Sequence, residues 1–184
     1  SEFNQLTDEK HSHDPTWSPD GNRIAYCREG ENGRRRIWVM NKDGTNRWQL
    51  TTGEGNFDDW YPRWSPDGSR VAFTSSREGL GFWTVSVSDK LLHRVPMETL
   101  GTTGTLDWSL MCDWSSDSKF LTFAFGQEGE NDIFTIPVDG GERIRLTSQP
   151  GSYKYATYDA TGAHISYVAE KDGQDSIWIM PSTG

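Results

Sequence analysis

Short stretches of alternating apolar and polar residues, separated by tight-turn sequences, follow one another along the whole chain. Trp64 ends one such stretch, Ser65-Pro66-Asp67-Gly68 is a turn sequence, and Val71-Ala72-Phe73 begins the next stretch. Proline pre-sets φ at the second position of a β-turn, aspartate suits the third, and glycine accepts a positive φ at the fourth. Because a residue before proline is pushed towards extended geometry, Pro62 predicts extended backbone at Tyr61. The pattern therefore predicts a β-hairpin over residues 61–77.

The same hairpin pattern occurs four times, so the sequence is a repeat. Its other copies are at residues 17–26, 114–123 and 158–167. A third, more apolar segment follows each copy, at residues 37–40, 82–85, 133–136 and 177–180. Apolar residues on both faces of a strand are typical of burial on both sides. A fourth segment completes the repeat and ends in Leu-Thr at residues 50–51 and 146–147.

The last repeat lacks its fourth segment, whereas the chain opens with an unpaired one. Residues 3–7 (Phe-Asn-Gln-Leu-Thr) match residues 47–51 and 143–147. We therefore predict one all-β domain over residues 1–184, a closed four-bladed β-propeller of four-stranded antiparallel blades. Residues 1–7 would complete the last blade and leave no long open sheet edge. The alternative is an open four-blade unit that dimerises into eight blades.

Five motifs of the repeat together resemble the TolB-like β-propeller repeat family. They are Trp-Ser-Pro-Asp-Gly at residues 17–21 and 64–68, the following Ile-Ala-Tyr or Val-Ala-Phe, and the later Ile-Trp, Asp-Gly and Leu-Thr. The resemblance implies blades of four antiparallel strands around a central channel, a periplasmic or extracellular setting, and a protein partner. Similar repeats occur in the propellers of prolyl-oligopeptidase-type and tricorn-type peptidases, so the resemblance does not imply one activity. Family members more often have six or seven blades.

Composition narrows the class of partner. The formal net charge of -9 disfavours a nucleic acid, whose binding depends on clustered Lys and Arg. Arg34-Arg35-Arg36 is the single basic run, and we interpret it as solvated surface. No apolar run approaches the roughly 20 residues that cross a bilayer, so membrane insertion is not expected. Cys27 and Cys112 fall in strands of different repeats, and we predict two buried thiols.

Aromatic residues divide into those that repeat and those that do not. Trp17, Trp64, Trp114 and Tyr158 share one repeat position, which indicates packing between blades. The non-repeating aromatic residues fall in irregular loops, where binding residues are frequent. They are Trp60, Tyr61, Trp108, Tyr153 and Tyr155.

The candidate binding site lies at the mouth of the channel on the loop-rich face. We predict that Trp60, Tyr61, Tyr155 and Asp59 form it, with His13 and Asp14 at its edge and Leu110-Met111 on the third side. Flat rings beside carboxylates suit either a glycan or a protein hot spot.

No motif of a catalytic nucleophile, phosphate loop or metal site accompanies these residues. The sequence therefore predicts no catalytic residue, no metal and no cofactor. The predicted function is a non-enzymatic binding module for a protein or a glycan, as a monomer or possible dimer. The alternative is the propeller part of a hydrolase or lyase, such as a peptidase or a polysaccharide-active enzyme.

Overall fold

The computed structural model describes residues 3–8, 11–97, 111–127, 130–149 and 151–184. These residues form an all-β, four-bladed propeller, which confirms the predicted fold class. Each blade is an antiparallel sheet whose strands lie side by side in chain order. Among the described residues, no helix has the length and hydropathy to cross a membrane.

The strands of each blade follow the four segments of each sequence repeat. In blade 1 they are β1 (Ser12–Trp17), β2 (Arg23–Glu29), β3 (Arg35–Asn41) and β4 (Trp48–Gln49). In blade 2 they are β5 (Asp59–Trp64), β6 (Arg70–Ser75), β7 (Gly81–Ser86) and β8 (Leu92–Arg94). In blade 3 they are β9 (Cys112–Trp114), β10 (Phe120–Gln127), β11 (Glu130–Pro137) and β12 (Ile144–Arg145). Blade 4 has β13 (Ser152–Tyr158), β14 (His164–Lys171) and β15 (Gln174–Pro181).

The repeated turn between the first and second strands is held by its own side chains. Ser65 Oγ donates to Asp67 Oδ1 at 2.6 Å and accepts from the Arg70 amide at 3.0 Å. Gly68 has a φ of 71°, which glycine adopts without steric cost. Ser118 takes the equivalent position in blade 3 with a φ of 60°, so the turn survives the loss of glycine.

Apolar side chains fill each space between consecutive blades. Ile37 of blade 1 and Trp64 of blade 2 share one core, and Phe82 of blade 2 shares the next with Trp114 of blade 3. The Arg23 guanidinium covers the Trp64 ring at 5.0 Å, and Trp114 Nε1 donates to the Arg63 carbonyl at 3.0 Å. The interpretation of the repeated tryptophans as core residues is confirmed for these two.

The two cysteines lie inside these cores as free, buried thiols, as predicted. Burial raises the pKa of each thiol, Cys27 and Cys112, to about 12.

The predicted closing strand is not observed. Blade 4 has three strands, and residues 3–7 form none. Leu6 instead packs against Ile24, Tyr26 and Met40 of blade 1, and its carbonyl accepts from Arg47 Nη2 at 2.7 Å. The blades pack in chain order, and within the described ranges no hydrogen-bonded strand pair joins blade 4 to blade 1. Residues 3–7 therefore lie beside blade 1 and pair with no strand of blade 4.

The first strand of every blade lies nearest the propeller axis. β1 contacts β5, β5 contacts β9, and β9 contacts β13, whereas the fourth strands lie at the outer edge of their sheets. Residues at the beginning of β1, β5 and β13 therefore lie at the same end of the propeller, near its axis.

Candidate functional site

A β-bulge interrupts the first strand of blades 1, 2 and 4 at the same repeat position. The pairing with the second strand breaks between His13 and Thr16 in blade 1, between Trp60 and Arg63 in blade 2, and between Lys154 and Thr157 in blade 4. A bulge bends its strand and re-aims a side chain, and bulges are frequent beside functional sites.

One residue in each bulge has a left-handed backbone. The φ angles are 54° at Asp14, 54° at Tyr61 and 56° at Tyr155. This conformation is uncommon for residues other than glycine and costs about 1–3 kcal/mol when the surrounding structure imposes it. The extended backbone expected at Tyr61 before Pro62 is wrong, because the bulge overrides the local preference. Three equivalent strained positions thus present one carboxylate and two phenols.

The groups around the Tyr61 phenol are close enough to affect its pKa. Burial is the largest cause that raises the pKa of the Tyr61 phenol, and the negative charge of Asp14 raises it further. The positive charge of Arg35 lowers the same pKa, and Tyr155 also acts on it. Tyr155 is 49% exposed, and the other three side chains are half-buried. We call Asp14, Arg35, Tyr61 and Tyr155 the channel-mouth cluster.

Arg35 belongs to the basic run that the sequence analysis interpreted as solvated surface. The neighbouring arginines are engaged: Arg34 pairs with Asp58 at 3.3 Å, and Arg36 is buried, with its guanidinium 4.0 Å from the Phe57 ring. Within the described residues, the Arg35 guanidinium has no hydrogen bond or ion pair. The sequence did contain a signal for this difference. The run lies at the start of a strand, where consecutive residues face opposite sides, so Arg35 is expected to point away from the side that Arg34 and Arg36 face.

Asp59 differs from its predicted role. Its carboxylate is fully buried and accepts from Thr51 Oγ1 at 2.7 Å, Ser75 Oγ at 2.7 Å and Arg77 Nη2 at 2.6 Å. These partners occupy both oxygens. The carboxylate therefore links the loop that precedes β5 with strand β6, and it cannot reach a ligand. Trp60, the next residue, is half-buried on β5 opposite Thr74.

His13 also lies away from the channel mouth. Its side chain lines a recess of about 340 Å³ on the open side of blade 1, together with Leu6, Ser12, Pro15, Trp17 and Met40. Its Nε2 atom is buried and has no hydrogen-bond partner among the described residues. We call this depression the blade-1 recess. Leu110, which the sequence placed on the third side of the mouth, and the non-repeating loop residue Trp108 both lie outside the described residues.

The family model of the TolB beta propeller domain matches residues 3–105, more than half of the chain. The chain belongs to the TolB β-propeller family. The uncharacterised protein Atu1656 of Agrobacterium fabrum is 30% identical over 152 residues, which are 79% of this chain and 46% of that protein.

Solved TolB structures share the fold. TolB from Acinetobacter baumannii has a TM-score of 0.72 at 20% identity, over 97% of this chain and 43% of that one. A TolB candidate from Agrobacterium tumefaciens has a TM-score of 0.76 at 19% identity, over 94% and 63%. The chain therefore spans less than two thirds of the length of these relatives.

Enzymes also contain this fold. An oligogalacturonate lyase from Vibrio parahaemolyticus has a TM-score of 0.65 at 17% identity, over 90% of this chain and 47% of that one. A puromycin-hydrolysing peptidase of Mycobacterium tuberculosis has a TM-score of 0.70 at 16% identity, over 95% and 27%. The shared fold therefore does not distinguish a binding propeller from the propeller of an enzyme.

Proposed function

We propose that this chain is a non-enzymatic binding module that holds an extended segment of a protein partner at the channel-mouth cluster. The observation that carries the proposal is the left-handed backbone at Asp14, Tyr61 and Tyr155, repeated at one position in three blades. Strain of this kind persists where the surrounding structure imposes it, and it concentrates at ligand and active sites. Filling a channel with side chains does not require this backbone strain. Directing side chains toward a ligand is what a bulge does well.

The chemistry of the cluster suits a peptide. Tyrosine offers a large rigid surface with a polar tip, and arginine and tyrosine are enriched among residues that dominate binding energy. The Arg35 guanidinium, which has no hydrogen-bond partner among the described residues, can donate two hydrogen bonds to a carboxylate, while Asp14 attracts a basic group. Membership of the TolB β-propeller family, whose resemblance implies a protein partner and a periplasmic or extracellular setting, supports a protein ligand.

Selection from a peptide library displayed on phage tests this proposal, with the immobilised chain as the bait. We expect the enriched peptides, once synthesised, to lose about 30-fold in affinity on Arg35→Glu, which corresponds to a hot-spot loss of about 2 kcal/mol. Tyr155→Asn should weaken binding similarly, because asparagine tolerates the left-handed backbone and removes only the ring. Lys119→Glu makes the same change of charge in the turn at the opposite end of the blades and should leave the affinity unchanged.

Two outcomes would overturn the proposal. Peptides that bind all three variants with wild-type affinity would place the binding site elsewhere. Binding on a glycan array that is abolished by Arg35→Glu and Tyr155→Asn would retain the cluster as a site but assign it to a sugar.

The second candidate is the propeller part of a hydrolase or lyase, which the lyase and peptidase structures favour at the level of fold. Incubation with oligogalacturonides, with and without manganese, and with peptide substrates separates it from a binding module. Turnover that Tyr155→Asn abolishes would replace the binding function with catalysis at the same cluster.

A further inference from the structure

The backbone of Arg35 is held by a side chain from the loop that leads to the next blade. β3 has seven residues, whereas β4 has two and pairs only with the middle of β3. Side chains therefore take the place of a strand partner for two amides on the outer edge of β3. Thr51 Oγ1 accepts from the Ile37 amide at 3.0 Å, and Asp58 Oδ1 accepts from the Arg35 amide at 2.8 Å. The bond to Asp58 is the stronger kind, because its acceptor is ionised.

The second oxygen of the Asp58 carboxylate binds the same hairpin. Asp58 Oδ2 accepts from Arg34 Nη1 at 3.3 Å, and the two side chains are 34% and 20% exposed, Arg34 being the more exposed. One carboxylate thus holds a main-chain N–H and the side chain of the preceding residue. Both oxygens of Asp58 are occupied by the start of β3 in blade 1.

The backbone of Asp58 is fixed to blade 2. Its amide donates to Ser76 Oγ at 3.0 Å, and the Ser76 amide donates to the Asp58 carbonyl at 3.1 Å. Ser76 directly follows β6, and Asp58 directly precedes β5, the strand that carries Tyr61. The main chain of Asp58 therefore belongs to blade 2, while its side chain binds blade 1.

We propose that Asp58 is a positioning residue of the channel-mouth cluster, because it fixes the Arg35 end of blade 1 against the strand of blade 2 that carries Tyr61. The proposal rests on the proposed function, since it assigns Asp58 a part in ligand binding although its own carboxylate oxygens are occupied. A ligand carboxylate would meet an arginine whose backbone is already fixed, and fixing a binding group in advance reduces the entropy lost on binding.

Asp58→Ala and Asp58→Asn form a matched pair that tests this role. Both variants remove the same charge, but only asparagine keeps an oxygen that can accept from the Arg35 amide. By NMR, we expect this amide to exchange its hydrogen about tenfold faster in Asp58→Ala than in Asp58→Asn, the factor for a hydrogen bond of about 1.4 kcal/mol. The Ile37 amide, which Thr51 holds, should exchange at the same rate in both variants and so shows that β3 remains folded.

The pKa of Tyr61 reports where the Arg35 guanidinium lies. The charge of Arg35 lowers this pKa, so we expect the pKa to rise in Asp58→Ala, where the guanidinium is no longer held near the phenol. Removal of the Asp58 charge by itself would lower the pKa, because a negative neighbour disfavours the phenolate. A rise in Asp58→Ala without a rise in Asp58→Asn therefore identifies the loss of positioning. Equal Tyr61 pKa values in the two variants would overturn the proposal, as would equal exchange rates of the Arg35 amide.

Peptide affinity separates this proposal from the proposed function on which it rests. Peptides selected on the wild-type chain should bind Asp58→Ala about tenfold more weakly, and Asp58→Asn with nearly wild-type affinity. A selection that yields no peptide would overturn the proposed function alone, because the exchange rates and the Tyr61 pKa need no ligand. Peptides that bind Asp58→Ala with wild-type affinity while the pKa of Tyr61 is raised would overturn the role of Asp58 in binding.

Discussion

The Arg77 guanidinium holds both carboxylate oxygens of Asp59: Nη2 lies 2.6 Å from Oδ2, and Nε lies 3.1 Å from Oδ1. The pair is buried at the entrance to blade 2, and the Phe57 ring packs 4.2 Å from the same guanidinium. Thr51 of blade 1 donates to the carboxylate as well, so this ion pair joins the end of one blade to the beginning of the next. Its position beside the candidate site makes it a positioning element for β5.

Breaking this pair should destabilise the fold strongly. We expect Arg77→Leu to lower the free energy of unfolding by about 3–5 kcal/mol, because the Asp59 charge stays buried without its partner. Arg145→Leu removes one partner of a more exposed pair with Asp132 and should cost about 1 kcal/mol or less. Urea denaturation of both variants measures the difference. Equal losses would show that the Asp59 carboxylate is hydrated in solution.

Equivalent tryptophans should differ in their contribution to stability. Trp64→Ala empties a buried site between blades 1 and 2 and should cost about 3–5 kcal/mol. Trp17→Ala, measured at concentrations where the chain is monomeric, should cost far less because half of this side chain is already exposed. Asp67→Ala removes the acceptor for Ser65 and should cost about 1 kcal/mol. Chemical denaturation that ranks Trp17→Ala with Trp64→Ala would contradict the open blade-1 face.

The repeat pattern in the sequence predicted most of the fold, for a physical reason. Trp64, the Ser-Pro-Asp-Gly turn and the apolar third strand each have local signals, and all of them form as predicted. The burial expected on both faces of the third strand is wrong for β15, where Ile177 is 85% exposed and Ile179 is 67% exposed, because no blade packs against it among the described residues. The closing strand has no such local determinant. Residues 3–7 carry the correct pattern for a fourth strand. Whether they reach the edge of blade 4 depends on the angle that the four blades span around the propeller axis. No residue type encodes that angle.

The candidate site was predicted in part. Tyr61, Tyr155 and Asp14 lie at the channel mouth, although their bulges were not foreseen because Pro62 predicts the opposite backbone. His13 is adjacent to Asp14 but points elsewhere, since consecutive residues of a strand face opposite sides. Asp59 lies two residues before Tyr61, and its carboxylate is turned away by hydrogen bonds from Thr51, Ser75 and Arg77. Arg35 was missed because the run was interpreted as a whole, without the alternation of faces that begins with β3 at Arg35.

Asp113 should make stability depend on pH. Burial raises the pKa of its carboxyl above the ordinary value of 3.8, while a hydrogen bond from the Tyr158 amide and the charge of Arg63 oppose the rise. The folded chain therefore holds this proton more tightly than the unfolded chain, so stability falls as the pH rises from 3.8 through the folded-state pKa.

Asp113→Asn removes this titration and keeps an acceptor for Tyr158. We expect the variant to be more stable than the wild type at neutral pH and to lose that advantage below pH 3.8. Asp117→Asn provides a control with the opposite expected result. A hydrogen bond from Ser115 lowers the pKa of Asp117, so its charged form stabilises the fold above pH 3.8 and the variant should be less stable than the wild type there. Thermal unfolding across this range measures both. An advantage for Asp113→Asn that persists unchanged in acid would exclude the carboxyl as its source.

The ionisation of Tyr61 tests the geometry of the channel-mouth cluster without a ligand. Burial raises the pKa of this phenol above the ordinary value of 10.0, Asp14 adds to the rise, and Arg35 opposes it. We therefore expect Asp14→Asn to lower the pKa of Tyr61 and Arg35→Gln to raise it. These opposite signs follow because a negative neighbour disfavours the phenolate and a positive neighbour favours it. Neither variant should move the pKa of Tyr167, which burial and Tyr153 raise in blade 4. NMR titration of chains labelled at the tyrosine ring resolves the two phenols. A Tyr61 pKa that shifts in the same direction in both variants would show that Asp14 and Arg35 do not both lie near this phenol. The channel-mouth cluster would then be wrong.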